Sequence, residues 1–288
     1  MRLGSQVHMN STIHRQLRNV LGRDVYQRAK CSWIYDSYWS VVDRRIIDDR
    51  RMEVEFYRGL LRGFHEGDLI FDIGANQGYK TGIFLRLGAR VVSVEPDEAS
   101  QEILKQSFLK FRMRKKPVSL VSKAISDKSS SMRMWIDTPG SAMNTLSRKW
   151  AETLRNDATR FGAKLGFGRW KEVETISMET LVAEYGQPFF IKIDVEGHEL
   201  SVLRGMQRPV SYLSFEVNLP EFRPEGLECV QVLGRLASDG RFNYAVDCRR
   251  GLVLKEWLGK DEFYSILGAC GEKSLEVFWK TRTDAYNR

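Results

Sequence analysis

Asp68-Leu-Ile-Phe-Asp-Ile-Gly-Ala-Asn-Gln-Gly78 is a short apolar run that ends in an acid and passes straight into a glycine turn. A second apolar run, Arg90-Val-Val-Ser-Val-Glu95, follows about twenty residues on and also ends in an acid. A strand, a glycine turn, a helix and an acid-tipped strand form half of a nucleotide-binding βαβ unit. The glycines let the backbone come close to a ligand, and Glu95 is placed to accept hydrogen bonds from ribose hydroxyls. Gly74 and Gly78 are spaced Gly-x-x-x-Gly, not Gly-x-Gly-x-x-Gly, and Asn76 stands where a middle glycine would approach a pyrophosphate. An adenosine ligand without phosphates fits this turn better than a dinucleotide, and S-adenosylmethionine is the common ligand of that kind.

The size of the chain, 288 residues, suits one large α/β domain with additions or two small ones. A hydrophobic share of 42% predicts a real core. Cys31, Cys229, Cys248 and Cys270 are far apart, without a Cys-x-x-Cys pair, which argues against a zinc site or a disulfide framework and for reduced thiols in the cytoplasm. The first ten residues hold no apolar signal core, and no apolar run is long enough to span a bilayer. The net charge of +8 is concentrated in Lys105–Lys116 and in Arg148–Lys171. Its ordinary meaning is a solvated face; its sharper meaning is an anionic substrate or nucleic acid.

Residues 1–66 read as a polar helical extension, and residues 67–288 as the ligand-binding domain. Strands are expected at 68–73, 90–95, 118–121, 189–194, 211–217, 242–247 and 275–280, and helices at 79–87, 97–109, 178–185, 198–205 and 226–238. The alternation implies parallel pairing with right-handed crossovers, and the last two strands read as an antiparallel pair with one inserted helix. An insert at 137–171, basic and glycine-rich, interrupts the rhythm; connections of that length serve as lids or stay disordered.

Three strand ends carry an acid: Asp72, Glu95 and Asp194. Ser214-Phe-Glu-Val-Asn218 adds Glu216 at a fourth. Ligands of open α/β sheets bind outside the carboxyl ends of the strands. Phe71-Asp-Ile-Gly-Ala-Asn-Gln-Gly78, Val94-Glu-Pro-Asp97, Ala124-Ile-Ser-Asp127 and Ile191-Lys-Ile-Asp-Val-Glu-Gly-His-Glu199 together resemble the FkbM family of class I S-adenosylmethionine-dependent methyltransferases. Leu203-Arg-Gly-Met206 and Phe215-Glu-Val217 extend the resemblance over roughly residues 66–220, and the Lys-Ile-Asp-Val-Glu-Gly segment is its most specific part. The resemblance implies a Rossmann-like fold, a seven-stranded and mostly parallel sheet with helices on both faces. It also implies methyl transfer from S-adenosylmethionine to a hydroxyl oxygen of a sugar, glycan or secondary metabolite.

The residues and the resemblance together assign roles. Gly74, Asn76 and Gly78 bring backbone to the methionine part of the cofactor, and Asp72 and Asp194 stand near it. Glu95 takes the ribose, and Ser126 and Asp127 the adenine. Asp194, His198 and Glu216 are the candidate bases. Glu196 and Glu199 are explained as favourable charge at a helix N-terminus. No residue is committed to a metal, since Asp194, Glu216 and Asn218 offer at most two or three oxygen ligands. A nucleic-acid methyltransferase is an alternative; the Asn/Asp-Pro-Pro-Tyr motif of base-amino methylation is absent, with Lys192-Ile-Asp-Val-Glu196 in its place. A non-catalytic cofactor-binding protein is another, and a nicotinamide dehydrogenase is disfavoured by the glycine spacing.

Overall fold

The computed structural model describes residues 44–108, 118–158, 160 and 165–281. The expectation of helix before residue 44 and most of the first basic cluster lie outside these residues. Helix α1 (Arg44–Leu60) precedes strand β1 (Leu69–Ile73), α2 (Tyr79–Arg86), β2 (Arg90–Val94), α3 (Glu98–Ser107) and β3 (Val118–Val121). After β4 (Ala124–Ser126) and β5 (Ser130–Ile136) come α4 (Arg148–Asn156), β6 (Arg169–Ser177), α5 (Met178–Tyr185), β7 (Phe190–Ile193) and α6 (Glu199–Arg204). The chain ends in β8 (Tyr212–Asn218), α7 (Arg223–Leu236), β9 (Arg241–Ala245), α8 (Lys260–Ala269) and β10 (Ser274–Lys280).

Seven strands form one sheet in the order β3-β2-β1-β7-β8-β10-β9. The pairs from β3 to β8 are parallel, and β10 runs antiparallel to both β8 and β9. The order reverses between β1 and β7, which opens a crevice at their carboxyl ends. All seven expected strands are present, and α8 is the helix inserted before the antiparallel return. Ala124–Ser126, which is not among the expected strands, forms a strand. It pairs with β6, and β6 pairs with β5, in a separate three-stranded sheet. This short strand is lost between turn-like neighbours, because its partner lies about fifty residues away and no local periodicity announces it. The 137–171 insert is correspondingly more ordered than a loop, since it contains α4 and the start of β6.

Alternation along the strands separates two cores. Phe71, Ile73, Val92, Ile191, Ile193, Leu213 and Phe215 face one layer, while Ile70, Val91, Phe190 and Tyr212 face α1 and α2 on the other. On that second face one row is polar: Ser93 lies in register with Asp72, Asp72 with Lys192, and Lys192 with Ser214. All four are buried.

Helix α1 is an integral part of the domain. Tyr57 is fully buried, packs edge-on against Phe84 at 5.1 Å and hydrogen-bonds Glu276 through its hydroxyl. Lys80 sits over the Tyr57 ring and pairs with Glu53 of α1 at 2.8 Å. Tyr57→Ala is expected to destabilise the protein by about 3–5 kcal/mol in chemical denaturation, as a large aromatic truncated in a packed core does.

Candidate functional site

The glycine turn after β1 is shaped by contacts within the protein. Gly74 has φ +80°, and a Cβ there would lie 1.7 Å from the carbonyl oxygen of Asp194. The two strand ends on either side of the topological switch therefore touch through bare backbone. Gly78 has φ +85° and caps α2, and its missing side chain makes room for Leu104 and Phe108 of the α3 region. Asn76 also takes a left-handed conformation, φ 47°.

A cavity of about 530 Å³, open to solvent, lies above this turn. Gly74, Asn76, Glu95 and Asp194 line it, as the sequence suggests for a cofactor site. Its far wall comes from the insert, through Ser141, Ala142, Asn144, Thr145 and Leu146. Asp97 anchors that wall: its Oδ2 accepts hydrogen bonds from the Gly140 amide at 2.8 Å and from Asn144 Nδ2 at 2.6 Å. Thr145 Oγ1 donates to the Glu196 carbonyl at 2.6 Å, which ties the wall to the loop after β7.

Glu95 accepts one hydrogen bond on each oxygen, from the amides of Asn76 (2.8 Å) and Asp97 (2.7 Å). Each carboxylate oxygen keeps a second lone pair for another donor. Burial pushes this carboxyl up to about 7, against the downward pull of the two amides. Asp72 is completely buried beneath the turn and does not line the cavity. Its Oδ2 accepts from Thr81 at 2.5 Å, while its Oδ1 has no hydrogen-bond partner among the described residues. Ser126, Asp127 and His198 form their own group. Ser126 Oγ lies 3.1 Å from His198 Nε2, and Asp127 stands beside Ser126. Burial lowers His198 to about 4, the opposing attraction of Asp127 notwithstanding. The neighbouring Ala124 and Ile125, rather than these three, line the cavity.

Asp194, Glu196 and Glu216 bring carboxylate oxygens within 4.8 Å of one another. Lys192 Nζ pairs with Asp194 at 2.7 Å. Glu196, which sequence reasoning attributes to helix charge, has φ 54° and accepts a hydrogen bond from Trp150 Nε1 at 2.8 Å. Burial, then the charges of Glu216 and Asp194, raise the Glu196 carboxyl well above the usual range. Glu216 is raised for the same reasons, burial first and Asp194 second. The signal available in the sequence was the Glu196-Gly197 pair, since a glycine after an acid allows a sharp turn. The contribution of Trp150 from a distant insert had no such signal. These three carboxylates are also the residues able to offer oxygen ligands to a divalent cation.

The model of the methyltransferase FkbM domain matches residues 72–237, more than half of the chain. The chain belongs to the FkbM methyltransferase family. A search of curated proteins returns no match. Among solved structures, the chain is similar to a precorrin-6Y C5,15-methyltransferase of Geobacter metallireducens, at 10% identity and a TM-score of 0.40, covering 81% of this chain and 86% of that one. It is similar to an S-adenosylmethionine-dependent O-methyltransferase of Thermotoga maritima at 11% identity and a TM-score of 0.38, covering 82% of this chain and 66% of that one. A putative RNA methyltransferase of Pyrococcus horikoshii matches at 11% identity and a TM-score of 0.38, covering 82% of this chain and 81% of that one.

This FkbM-family protein is a class I, Rossmann-like methyltransferase that uses S-adenosylmethionine. The site accommodates such a cofactor. Gly74 leaves no side chain at the rim, and the Glu95 oxygens at the cavity each keep a lone pair for a hydroxyl donor.

Two measurements test this site. The ribose role expected of Glu95 requires its ionised form, and in the folded chain burial holds its proton up to about 7, against 4.5 for a solvated glutamate. The free protein therefore loses stability from this group as pH rises from 4.5 to 7, where the unfolded chain has already released the proton. Cofactor affinity should run the other way. Calorimetry between about pH 6 and 8 should show S-adenosylmethionine binding tighten, Glu95→Gln should flatten the trend, and Glu95→Ala should weaken binding by about 1.5–3 kcal/mol. Gly74→Ala should lower both cofactor affinity and melting temperature, because its Cβ displaces the Asp194 backbone.

Proposed function

We propose that this methyltransferase transfers the methyl group of S-adenosylmethionine to a hydroxyl oxygen of a small molecule, a sugar, glycan or secondary metabolite. The observation that supports this most is the group of carboxylates Asp194, Glu196 and Glu216 beside the cofactor cavity. Methyl transfer is an in-line displacement at a sulfonium carbon with a good, neutral leaving group, so positioning supplies most of the acceleration. A hydroxyl acceptor must also lose a proton, and a carboxylate within reach can take it.

Asp194 ends β7 at the cavity rim and is held by Lys192. In this reading it orients the acceptor and the methyl group, while Glu216 stands deeper on the acceptor side. His198 lines neither the cofactor cavity nor the space around Glu216 and acts from behind, through Ser126. Gly74, Asn76, Glu95 and Asp194 form the cofactor contacts, with Asp72 and Gly78 supporting them and Ser126 and Asp127 behind the adenine end. A cytoplasmic setting suits the free thiols of Cys229, Cys248 and Cys270, and no helix among the described residues is long and apolar enough to cross a membrane.

S-adenosylmethionine carrying a trideuterated methyl group, incubated with the enzyme and a protein-free cell extract, should place the label on oxygen. Mass spectrometry of the products decides this; label on nucleobase nitrogen would favour a nucleic-acid substrate instead. In the same assay Asp194→Asn should lower turnover about a hundred-fold, well beyond any loss of cofactor affinity.

A further inference from the structure

A second cavity opens beside the first. It is open to solvent and lined by Met143, Arg160, Glu196, Glu216, Asn218, Lys273 and Ser274. Glu196 lines both cavities, and the other lining residues of the second are absent from the first. Its side chain is the partition between the methyl donor's space and the space beyond β8 and β10.

The groups around this partition differ in what they have left to offer. Glu216 Oε1 accepts from Ser274 Oγ at 2.8 Å and Oε2 from Asn218 Nδ2 at 3.2 Å. Asp194 Oδ2 is taken by Lys192; its Oδ1 has no hydrogen-bond partner among the described residues, but Asp194 lines the first cavity and not the second. Arg160 is directed at the frame: it donates to the carbonyls of Leu219 and Lys273, to Asn218 Oδ1 and to Glu221. Its guanidinium also stacks 4.9 Å over the Trp150 ring. Glu196 Oε2 accepts from Trp150, but its Oε1 has no hydrogen-bond partner among the described residues. The Glu196 backbone is held in a left-handed conformation, φ 54°, and its carbonyl is bound by Thr145. The insert thus grips this one residue twice, by its carbonyl and by its carboxylate, and leaves one oxygen open.

We propose that Glu196 is the catalytic base, and that the second cavity takes a neutral, polyhydroxylated acceptor, a sugar ring, whose reacting hydroxyl reaches Glu196 Oε1. This rests on the hydroxyl-transfer reading above. The acceptor oxygen forms a bond to the methyl carbon as the sulfur–methyl bond breaks. The electron pair of that bond stays on sulfur, giving a neutral thioether, and the hydroxyl proton passes to Glu196 Oε1. A lining of carboxylates, an amide, a hydroxyl and an ammonium, with Met143 as its apolar member, matches a ring studded with hydroxyls and not a flat aromatic or a lipid chain.

The experiment uses the full chain, trideuteromethyl S-adenosylmethionine and the carbohydrate fraction of a protein-free extract, assayed in EDTA. Wild type should place label on sugar oxygen. Glu196→Gln should lower the rate at least a hundred-fold while S-adenosylhomocysteine, measured by calorimetry, binds within about threefold of wild type; Glu196→Asp should recover part of the rate. Lys273→Ala should raise the acceptor concentration needed for half-maximal rate and leave the maximal rate nearly intact. Label on oxygen with a near-normal rate in Glu196→Gln overturns the base assignment alone. Loss of S-adenosylhomocysteine binding in that variant does so too, by making Glu196 a cofactor contact. Wild-type activity abolished by EDTA and restored by magnesium would make it a metal ligand. Oxygen label confined to aromatic products overturns the sugar assignment. Label on nitrogen or carbon, or none in any fraction, defeats the hydroxyl-transfer reading itself.

Discussion

Lys192 lies almost wholly buried in the middle of a seven-stranded sheet, and much of the site depends on how its charge is met. Burial alone would push its ammonium down, but Asp194, then Asp72 and Glu276, outweigh that and hold it above its usual value. A buried cation without such partners would cost several kcal/mol. The pairing at 2.7 Å fixes Asp194 at the end of β7, and Asp194 in turn sets its backbone carbonyl against Gly74. One ion pair therefore controls both the rim of the cofactor cavity and the closest contact across the topological switch.

The polar row of Ser93, Asp72, Lys192 and Ser214 continues beyond the sheet. Thr81 joins Asp72 from α2. Ser214 donates to Glu276 at 2.6 Å, and Glu276 is reached from the far side by Tyr57 and by the Cys248 thiol. Buried polar groups of this kind demand partners with fixed geometry. Helix α1 supplies one of them through Tyr57. The cofactor end of the sheet and the packing of the first described helix meet along this buried polar row, where Lys192 feels the charges of Asp194, Asp72 and Glu276.

The insert has a different role. It carries Asn144, Thr145 and Trp150, none of which is near β7 in sequence, and it fastens them to Asp97 and Glu196. Trp150 is fully buried against Phe222 with Arg160 over its ring. The basic character of this segment is thus used in part for structure: Arg160 holds four groups around β8 and Glu221, and Lys149 pairs with Glu225.

The sequence by itself determined the frame. The apolar runs around Asp72, Glu95, Asp194 and Glu216 gave the parallel strands, their acids marked the ligand edge, and the spacing of Gly74 and Gly78 pointed away from a dinucleotide. These signals are local, because strand periodicity and glycine turns are written within a few residues. The tertiary structure alone decided which acids meet. Glu196 and Glu199 look alike beside a helix start, yet Glu199 turns inward to accept the Val195 and Gly197 amides, while Glu196 faces two cavities under Trp150. The strand Ala124–Ser126 was hidden for the same reason: its partner, β6, follows the whole insert. Contacts between residues fifty or more positions apart depend on how the layers pack, and single-chain periodicity holds no record of them.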